Sequence, residues 1–96
     1  MSSPSSLALR YQSQRHVSSA RHGDTTVLLD VNRGRYYTLN QVGGRIWELL
    51  ARGSSVAEVV GYLADEFEVD RDQLFADVTR LIEELQRTKL VVATAE

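Results

Sequence analysis

The chain has 96 residues, enough for one small domain with a single core and too few for separate catalytic and substrate domains. It is 43% hydrophobic and 25% charged, and these ordinary proportions exclude a disordered, collagen-like or coiled-coil protein. It has no cysteine, which excludes disulfides, thiolate metal sites and cysteine nucleophiles. No apolar run approaches the roughly 20 residues that cross a bilayer, so we expect a soluble, cytoplasmic protein.

Charge is distributed unevenly along the chain. The net charge is −2, but residues 1–53 carry a balance of +4 and residues 54–96 a balance of −6. The acidic half contains most of the helical periodicity described below. We therefore expect the helices to present little excess positive charge to a partner.

The two ends of the chain carry little structural signal. Residues 1–6 include four serines and the only proline, which predicts a flexible tail. We expect one folded domain over residues 7–93 and a short tail at 94–96. Between Leu7 and Ala20 the signal is weak, with strand-prone stretches only at Leu9–Tyr11 and His16–Ser19.

A β-hairpin is the first strong prediction. The segment Thr25–Val31 is rich in β-branched and aliphatic residues, and Arg35–Leu39 is aromatic and β-branched. Between them, Gly34 can adopt the positive φ that a tight turn requires. Alternate residues of the first strand share one face, namely Val27, Leu29 and Val31.

Three helices follow the hairpin, each with a start signal. Their predicted N-caps are Asn40, Ser55 and Asp70. Glu58 completes a capping box at the second helix, and Gly53 stands where the residue after the first helix belongs. The third helix is predicted to run to about Arg87, and Leu90–Val92 is predicted to be a last short strand. The fold class is therefore α+β, and a winged helix-turn-helix is the natural candidate.

The sequence offers no convincing catalytic or metal-binding set. Its two histidines, His16 and His22, lie in the weakest part of the pattern and have no nearby soft ligand. The acidic residues of Glu66–Asp72 are typical of a solvated helix junction, and Val42–Arg45 lacks the spacing of a phosphate loop. We predict a protein that is not an enzyme, with no catalytic residues, no metal and no cofactor.

Two binding functions remain open at this point. A helix-turn-helix protein would read DNA with its third helix, yet the segment from Arg71 to Lys89 holds four basic and four acidic residues. The strand Tyr36–Leu39 has no proline or lysine to protect an edge, and an open edge accepts an extended peptide. An ordinary edge strand beside an ordinary core helix explains the same pattern equally well.

An ordered set of short motifs runs from about residue 15 to residue 93. They are Val27–Asp30, Gly34–Asn40, Ile46–Leu50 with Gly53, Ser55–Val60, Phe67–Asp70, and Asp77–Leu85 before Leu90–Val91. In this order they resemble the PqqD-like family, the leader-peptide recognition elements of ribosomally synthesised and post-translationally modified peptide (RiPP) biosynthesis.

The resemblance implies a fold, a binding mode and site residues. The fold would be a winged helix-turn-helix in which a three-stranded sheet is followed by three helices. A precursor's leader peptide would add as a strand to the third strand, in a groove walled by the third helix, without catalysis. Carried onto this sequence, the peptide-binding residues are Arg35, Tyr36, Tyr37, Thr38, Leu39, Leu74, Asp77, Val78 and Leu81.

Within the family, the Gly34–Asn40 run and the free-standing length are most similar to the leader-binding proteins of lasso-peptide clusters. This implies a leader peptidase and a macrolactam cyclase as partners, with no nucleic acid and no membrane. An alternative is a PqqD-type peptide chaperone in quinone-cofactor or other RiPP biosynthesis, although Val31–Asn32 departs from the Pro-Glu usual there. A DNA-binding winged-helix regulator is the more distant alternative.

Overall fold

Two antiparallel sheets and three helices make up the fold in the computed structural model, which describes residues 9–94. The strands are β1 (Tyr11–Ser13), β2 (Val17–His22), β3 (Thr25–Asp30), β4 (Arg35–Leu39) and β5 (Val91–Ala93). The helices are α1 (Gln41–Ala51), α2 (Val56–Phe67) and α3 (Arg71–Arg87). The tail predicted at residues 1–6 lies outside the described residues, as do residues 95 and 96.

The larger sheet has the strand order β2-β3-β4. Leu28 in its central strand pairs with Ser19 on one side and Tyr37 on the other. Gly23 and Gly34, in the two hairpin turns, have φ of +61° and +66°, a region that glycine enters without steric cost. The predicted α+β class, with a three-stranded antiparallel sheet and three helices, is confirmed.

One face of this sheet packs on the helices. In β3 the buried residues are Thr26, Leu28 and Asp30, and Leu28 is fully enclosed. The alternate residues Val27 and Leu29 are only partly buried, and Val31 beyond them is 58% exposed. The apolar face that the period of two assigns to Val27, Leu29 and Val31 is thus the face turned away from the core.

The smaller sheet joins the two ends of the described chain. In it β1 pairs with β5, so that Tyr11 lies opposite Ala93, and Arg10 forms an isolated bridge with Ser55. The order is therefore not simply a sheet followed by helices. Strand β1 precedes the main sheet, and β5, which follows α3, pairs with β1. A three-residue strand whose partner lies at the other end of the chain leaves little local signal.

The helices begin where their caps predict. Backbone N–H groups donate to side-chain oxygens of all three predicted caps, Asn40, Ser55 and Asp70. Glu58 closes the capping box by accepting from the Ser55 N–H at 2.8 Å, and Gly53 follows α1 with a φ of +98°. The core between the helices and β3 includes Leu28, Ile46, Trp47, Leu49, Leu50, Val59, Leu63, Val78 and Leu90. Within residues 9–94 no helix combines the length and apolarity that a membrane crossing requires.

Candidate functional site

Strand β4 has one free edge. Its only partner among the described residues is β3, because β2 joins the sheet on the far side of β3. The sequence of β4 contains no proline, no lysine and no bulge that would block further pairing. Its outer backbone N–H and C=O groups are therefore available to an extended chain.

A groove runs beside this edge, between the end of β4, the first turns of α1 and the middle of α3. It encloses about 590 Å³. Its lining residues are Thr38, Leu39, Asn40, Val42, Gly43, Ile46, Asp77, Arg80, Leu81 and Glu84. Aliphatic side chains from all three elements form the floor, and charged side chains of α3 form one rim. Arg80 on that rim pairs with Asp77 at 3.4 Å and is 74% exposed.

A single residue connects the strand to the helix that forms the groove floor. Asn40 follows β4 directly, and its side-chain oxygen accepts from the Gly43 N–H at 2.8 Å. This cap fixes the direction in which α1 leaves the strand. A Cβ added to Gly43 would lie 3.3 Å from both Leu39 Cβ and Asn40 Oδ1, closer than side chains normally pack. Glycine at this position keeps the floor of the groove open.

The structure places four of the residues predicted for peptide binding in the groove lining. These are Thr38 and Leu39 of β4 and Asp77 and Leu81 of α3. Leu74 and Val78, predicted on the same helix, are 2% and 0% exposed and belong to the core behind the groove. Their side chains position α3 against the other helices.

The remaining predicted residues lie along β4 away from the groove. Tyr36 is 71% exposed and shares the outward face of the sheet with Thr38, whereas Tyr37 is half-buried against the core. Arg35 is exposed at the start of the strand. These residues line the free edge rather than the groove.

Sequence reasoning missed the contribution of α1. Val42 and Ile46 are spaced one helical turn apart, a pattern that indicates a core stripe. Ile46 does belong to the core, at 2% exposed, and Val42 packs against it, but both also line the groove. The signal that would have identified them is the adjoining glycine, since a glycine inside a helix destabilises it unless close approach or open space requires it. Arg80 and Glu84 were missed because exposed charges on a helix are common.

A second cleft, of about 290 Å³, lies on the other side of α1. Arg45 spans it, with its Nη2 2.8 Å from Glu66 Oε2 and its Nη1 3.0 Å from Glu48 Oε1. Arg21 approaches Glu48 from the sheet at 3.6 Å. The hydrogen bond from Arg45 lowers the pKa of Glu66, and the two carboxylates raise the pKa of Arg45. Four of the five charged residues of this cleft are thus joined by ion pairs, and Asp24 is the one without a partner among residues 9–94.

Among the described residues, neither histidine makes a hydrogen bond to a hydroxyl group. His16 Nε2 lies 3.1 Å from the carbonyl oxygen of Lys89 and 4.0 Å from Asp30 Oδ2, where it holds the start of β2 near the end of α3. In the part of the chain that the structure describes, no three His, Asp or Glu residues cluster as a metal site. The groove combines a backbone edge, an apolar floor and a charged rim, which is the chemistry of peptide recognition.

Fold and groove together define a small α+β binding protein with an open strand edge, and sequence comparison assigns the family. The profile described as coenzyme PQQ synthesis protein D (PqqD) matches residues 25–91, and the chain belongs to the PqqD family. Among curated proteins, no sequence matches the chain significantly.

Two solved structures share the fold over nearly their whole length. The chain is similar to TbiB1 in complex with the TbiA(beta) leader peptide, with a TM-score of 0.81 and 33% identity over 88% of this chain and 99% of that one. It is similar to lasso peptide synthetase B1 complexed with the leader peptide, with a TM-score of 0.80 and 29% identity over 86% and 98%. The predicted similarity to PqqD-like, lasso-peptide leader-recognition proteins is confirmed by these matches.

Proposed function

We propose that this protein binds the leader segment of a ribosomally made precursor peptide, which adds as a strand to β4 in the groove walled by α3. It thereby delivers the precursor to a leader peptidase and a macrolactam cyclase in lasso-peptide maturation. The observation that carries the proposal is a β4 edge that no strand within residues 9–94 covers, beside an apolar groove, in a chain similar to two leader-bound structures.

The proposed binding mode has a sufficient physical basis. Each backbone hydrogen bond made by an added strand contributes about 0.5–1.5 kcal/mol net. An aliphatic anchor that enters the floor formed by Leu39, Val42 and Leu81 adds about 1.5–3 kcal/mol when fully buried. After the cost of ordering the peptide, we expect a Kd between about 10 nM and 1 µM.

Several features complete the proposal. The protein is a binding module and not an enzyme, and residues 7–93 fold as one domain of the winged helix-turn-helix type. It works in the cytoplasm, where ribosomes produce the precursor. Within the groove, Thr38 and Leu39 offer the strand edge, and Asp77 and Leu81 form the wall. Leu74 and Val78 act from the core by holding α3 in place.

The charges on α3 argue against the alternative of a DNA-binding regulator. Arg80 pairs with Asp77 at 3.4 Å, and Arg87 pairs with Glu84 at 2.7 Å. A recognition helix binds phosphates with unpaired cations, whereas here each of these two arginines is partly neutralised within its own helix. A PqqD-type chaperone in quinone-cofactor or other RiPP biosynthesis would use the same groove, and the identity of the bound precursor distinguishes it.

The test is fluorescence polarisation with a labelled leader peptide from the precursor encoded beside this protein, with labelled duplex DNA measured at two salt concentrations. We expect saturable peptide binding that survives high salt, and no DNA binding. Salt-sensitive DNA binding without a peptide signal contradicts the proposal.

A variant pair locates the site. Leu81→Asp places a charge in the groove and should weaken leader binding by about 10- to 30-fold. Gln86→Asp introduces the same carboxylate on an exposed part of α3 outside the groove and should leave the affinity within about twofold. Equal affinities for the two variants would move the site away from α3.

A further inference from the structure

One end of the main sheet carries a group of basic side chains. There β2 begins, β3 ends and β4 begins, since Asp30 pairs with Val17 on one side and Arg35 on the other. The turn before β2 packs against this end through a hydrogen bond of 2.9 Å from Val31 N–H to His16 O, and His16 Nε2 lies 3.1 Å from the carbonyl oxygen of Lys89. The basic end, as we name it, consists of Arg15, Arg33, Arg35 and Lys89.

The side chains of the basic end are exposed and have no ion-pair partner among residues 9–94. The other arginines differ, because five of the remaining seven are paired with carboxylates. The paired ones are Arg10, Arg21, Arg45, Arg80 and Arg87. In a protein with a net charge of −2, unpaired positive charge is thus concentrated at one end of the main sheet, where Arg33 and Arg35 lie at the start of β4.

The carboxylate that the described residues place at this end, Asp30, offsets only part of the positive charge. Asp30 is fully buried beside its strand partner Arg35, and its Oδ1 accepts from the backbone N–H groups of Asn32 and Arg33 at 3.1 Å each. Its Oδ2 has no hydrogen-bond partner among residues 9–94 and lies 4.0 Å from His16 Nε2. Four exposed cations against one buried carboxylate leave this end with an excess of positive charge.

We propose that the basic end receives acidic residues of the leader peptide, and so selects leaders that carry both an apolar anchor and an acidic stretch. The inference rests on the proposed function, because it requires a peptide on the β4 edge. Leu39, at the groove, and Arg35 are four residues apart on the strand, about 13 Å at the rise of an extended chain. The acidic residues consequently lie four or more positions from the anchor.

The charges at the two ends of the peptide path also set its direction. On the rim beside the anchor site Asp77 is paired with Arg80 at 3.4 Å and Glu84 with Arg87 at 2.7 Å, so this end of the path offers no unpaired positive charge to an acidic residue. At physiological ionic strength charges interact over about 8 Å, so the rim and the basic end act on different parts of the peptide. A peptide can place its anchor in the groove and its acidic residues at the basic end only if the acidic residues lie on the side of the anchor that faces Arg35.

The test compares two double variants with the same change in net charge. Arg33→Glu/Arg35→Glu reverses the charge of the basic end, and Arg52→Glu/Arg71→Glu reverses two other exposed, unpaired arginines. Leader affinity is measured at about 50 mM and about 500 mM NaCl, where the Debye length falls from roughly 14 Å to about 4 Å. Thermal unfolding of each variant confirms that it is folded.

We expect the Arg33/Arg35 variant to bind the leader at least about tenfold more weakly at low salt and within about threefold of wild type at high salt. The Arg52/Arg71 variant should stay within about twofold throughout. Equal affinities for the two double variants would overturn the inference while leaving the proposed function intact. If the wild-type protein binds no leader at either salt concentration, the proposed function itself fails.

A second experiment, with two peptides, tests the direction in which the leader lies along β4. Two synthetic peptides of identical composition, based on the same leader, carry an acidic pair four residues before or four residues after the anchor. One should bind at least about fivefold more tightly, and the difference should vanish with Arg33→Glu/Arg35→Glu. Equal affinities for the wild-type protein, or duplex DNA binding that this double variant abolishes, would overturn the assignment of the basic end to the peptide.

Discussion

Helix α1 separates two clefts of different character. On one side, the groove of about 590 Å³ has an aliphatic floor and borders a backbone edge with no partner among the described residues. On the other, the cleft of about 290 Å³ is crossed by ion pairs from Arg45 to Glu48 and Glu66. Adjacent glycines line the two sides, with Gly43 in the groove and Gly44 in the charged cleft.

The two clefts differ in how far their polar and charged groups are already paired. In the charged cleft Arg21, Arg45, Glu48 and Glu66 already have ion-pair partners. A Cβ on Gly44 would lie 3.1 Å from Thr26 Cβ and closer still to its hydroxyl. Gly44 therefore allows helix and sheet to pack. In the groove, backbone groups and aliphatic surface have no partner among the described residues, and Gly43 leaves space beside them. Two identical neighbouring residues thus allow close packing on one side of the helix and, in the proposed function, binding on the other.

The largest effect is expected from a pair of proline variants in β4, Tyr37→Pro and Thr38→Pro. Successive N–H groups of a strand point to opposite sides. Val31 N–H donates towards β2, so Leu28 bonds to its β4 partner Tyr37, and the Thr38 N–H faces the free edge. Thr38→Pro should stay folded and lose leader binding by at least about 100-fold, or about 2.7 kcal/mol. Tyr37→Pro removes a donor from the β3 ladder and should unfold at a clearly lower temperature.

Circular dichroism and fluorescence polarisation distinguish these two outcomes. If both proline variants are folded and bind the leader with wild-type affinity, strand addition at β4 is excluded.

A smaller effect is expected from Gly44→Ala in the charged cleft. The added methyl group collides with Thr26, which should lower the free energy of unfolding by about 1–3 kcal/mol and leave leader affinity within about twofold. Gly61→Ala is the matched control, because Gly61 lies in α2 and an added Cβ there would meet nothing within 4 Å apart from its chain neighbours and the backbone of its own helix. It should raise stability by about 0.5–1 kcal/mol. Thermal or denaturant unfolding checks both.

We expect Gly43→Ala to weaken leader binding and leave stability nearly unchanged, which is the opposite of Gly44→Ala. Its methyl group is crowded only by Leu39 and Asn40 at 3.3 Å, so the fold yields by a few tenths of an ångström and the groove becomes shallower. We expect leader affinity to fall by about three- to fivefold, near 1 kcal/mol, with little change in unfolding temperature. A stability loss as large as that of Gly44→Ala, with unchanged affinity, would remove the contrast between the two glycines.

The smallest effect is expected from Glu66→Gln. Arg45 lowers the pKa of Glu66 in the folded protein below its ordinary 4.5, so the stabilisation is complete above that pH and is lost as the pH falls through the lowered value. Exposed pairs contribute little, and we expect the variant to be about 0.5–1 kcal/mol less stable at pH 7. Urea unfolding at pH 7 and pH 3 should show this difference shrink in acid, and a constant difference would contradict it.

Much of the fold was predictable because its signals are local. The three caps, the capping box at Ser55 and the hairpin around Gly34 each depend on residues within a few positions of one another. The β1–β5 sheet was not predictable, since Tyr11 and Ala93 share no local pattern. Which face of β3 is buried was not predictable either, because Leu28 and Asp30 alternate with residues that are equally apolar or more so.

The candidate site was predictable along the strand and incomplete elsewhere. Arg35–Leu39 forms an edge strand with the predicted bounds. On α3, the apolar stripe does not reveal that Leu81 lines a groove while Val78 lies in the core, because both fit the same helical period. Only the tertiary arrangement of α1, α3 and the end of β4 distinguishes the groove position of Leu81 from the core position of Val78. The peptide-binding roles themselves remain predictions for the experiments above.

The pairing of β1 with β5 determines how this protein can be tethered. Thr94 N–H donates to Arg10 O at 3.0 Å, so the two ends of the described chain meet at one point of the surface. A segment joined at residue 10 and one joined at residue 94 start from nearly the same place, and so at nearly the same distance from the β4 edge. The local concentration of a captured leader near a fused enzyme would then depend on the total length of the connecting segment and not on which of these two points it starts from.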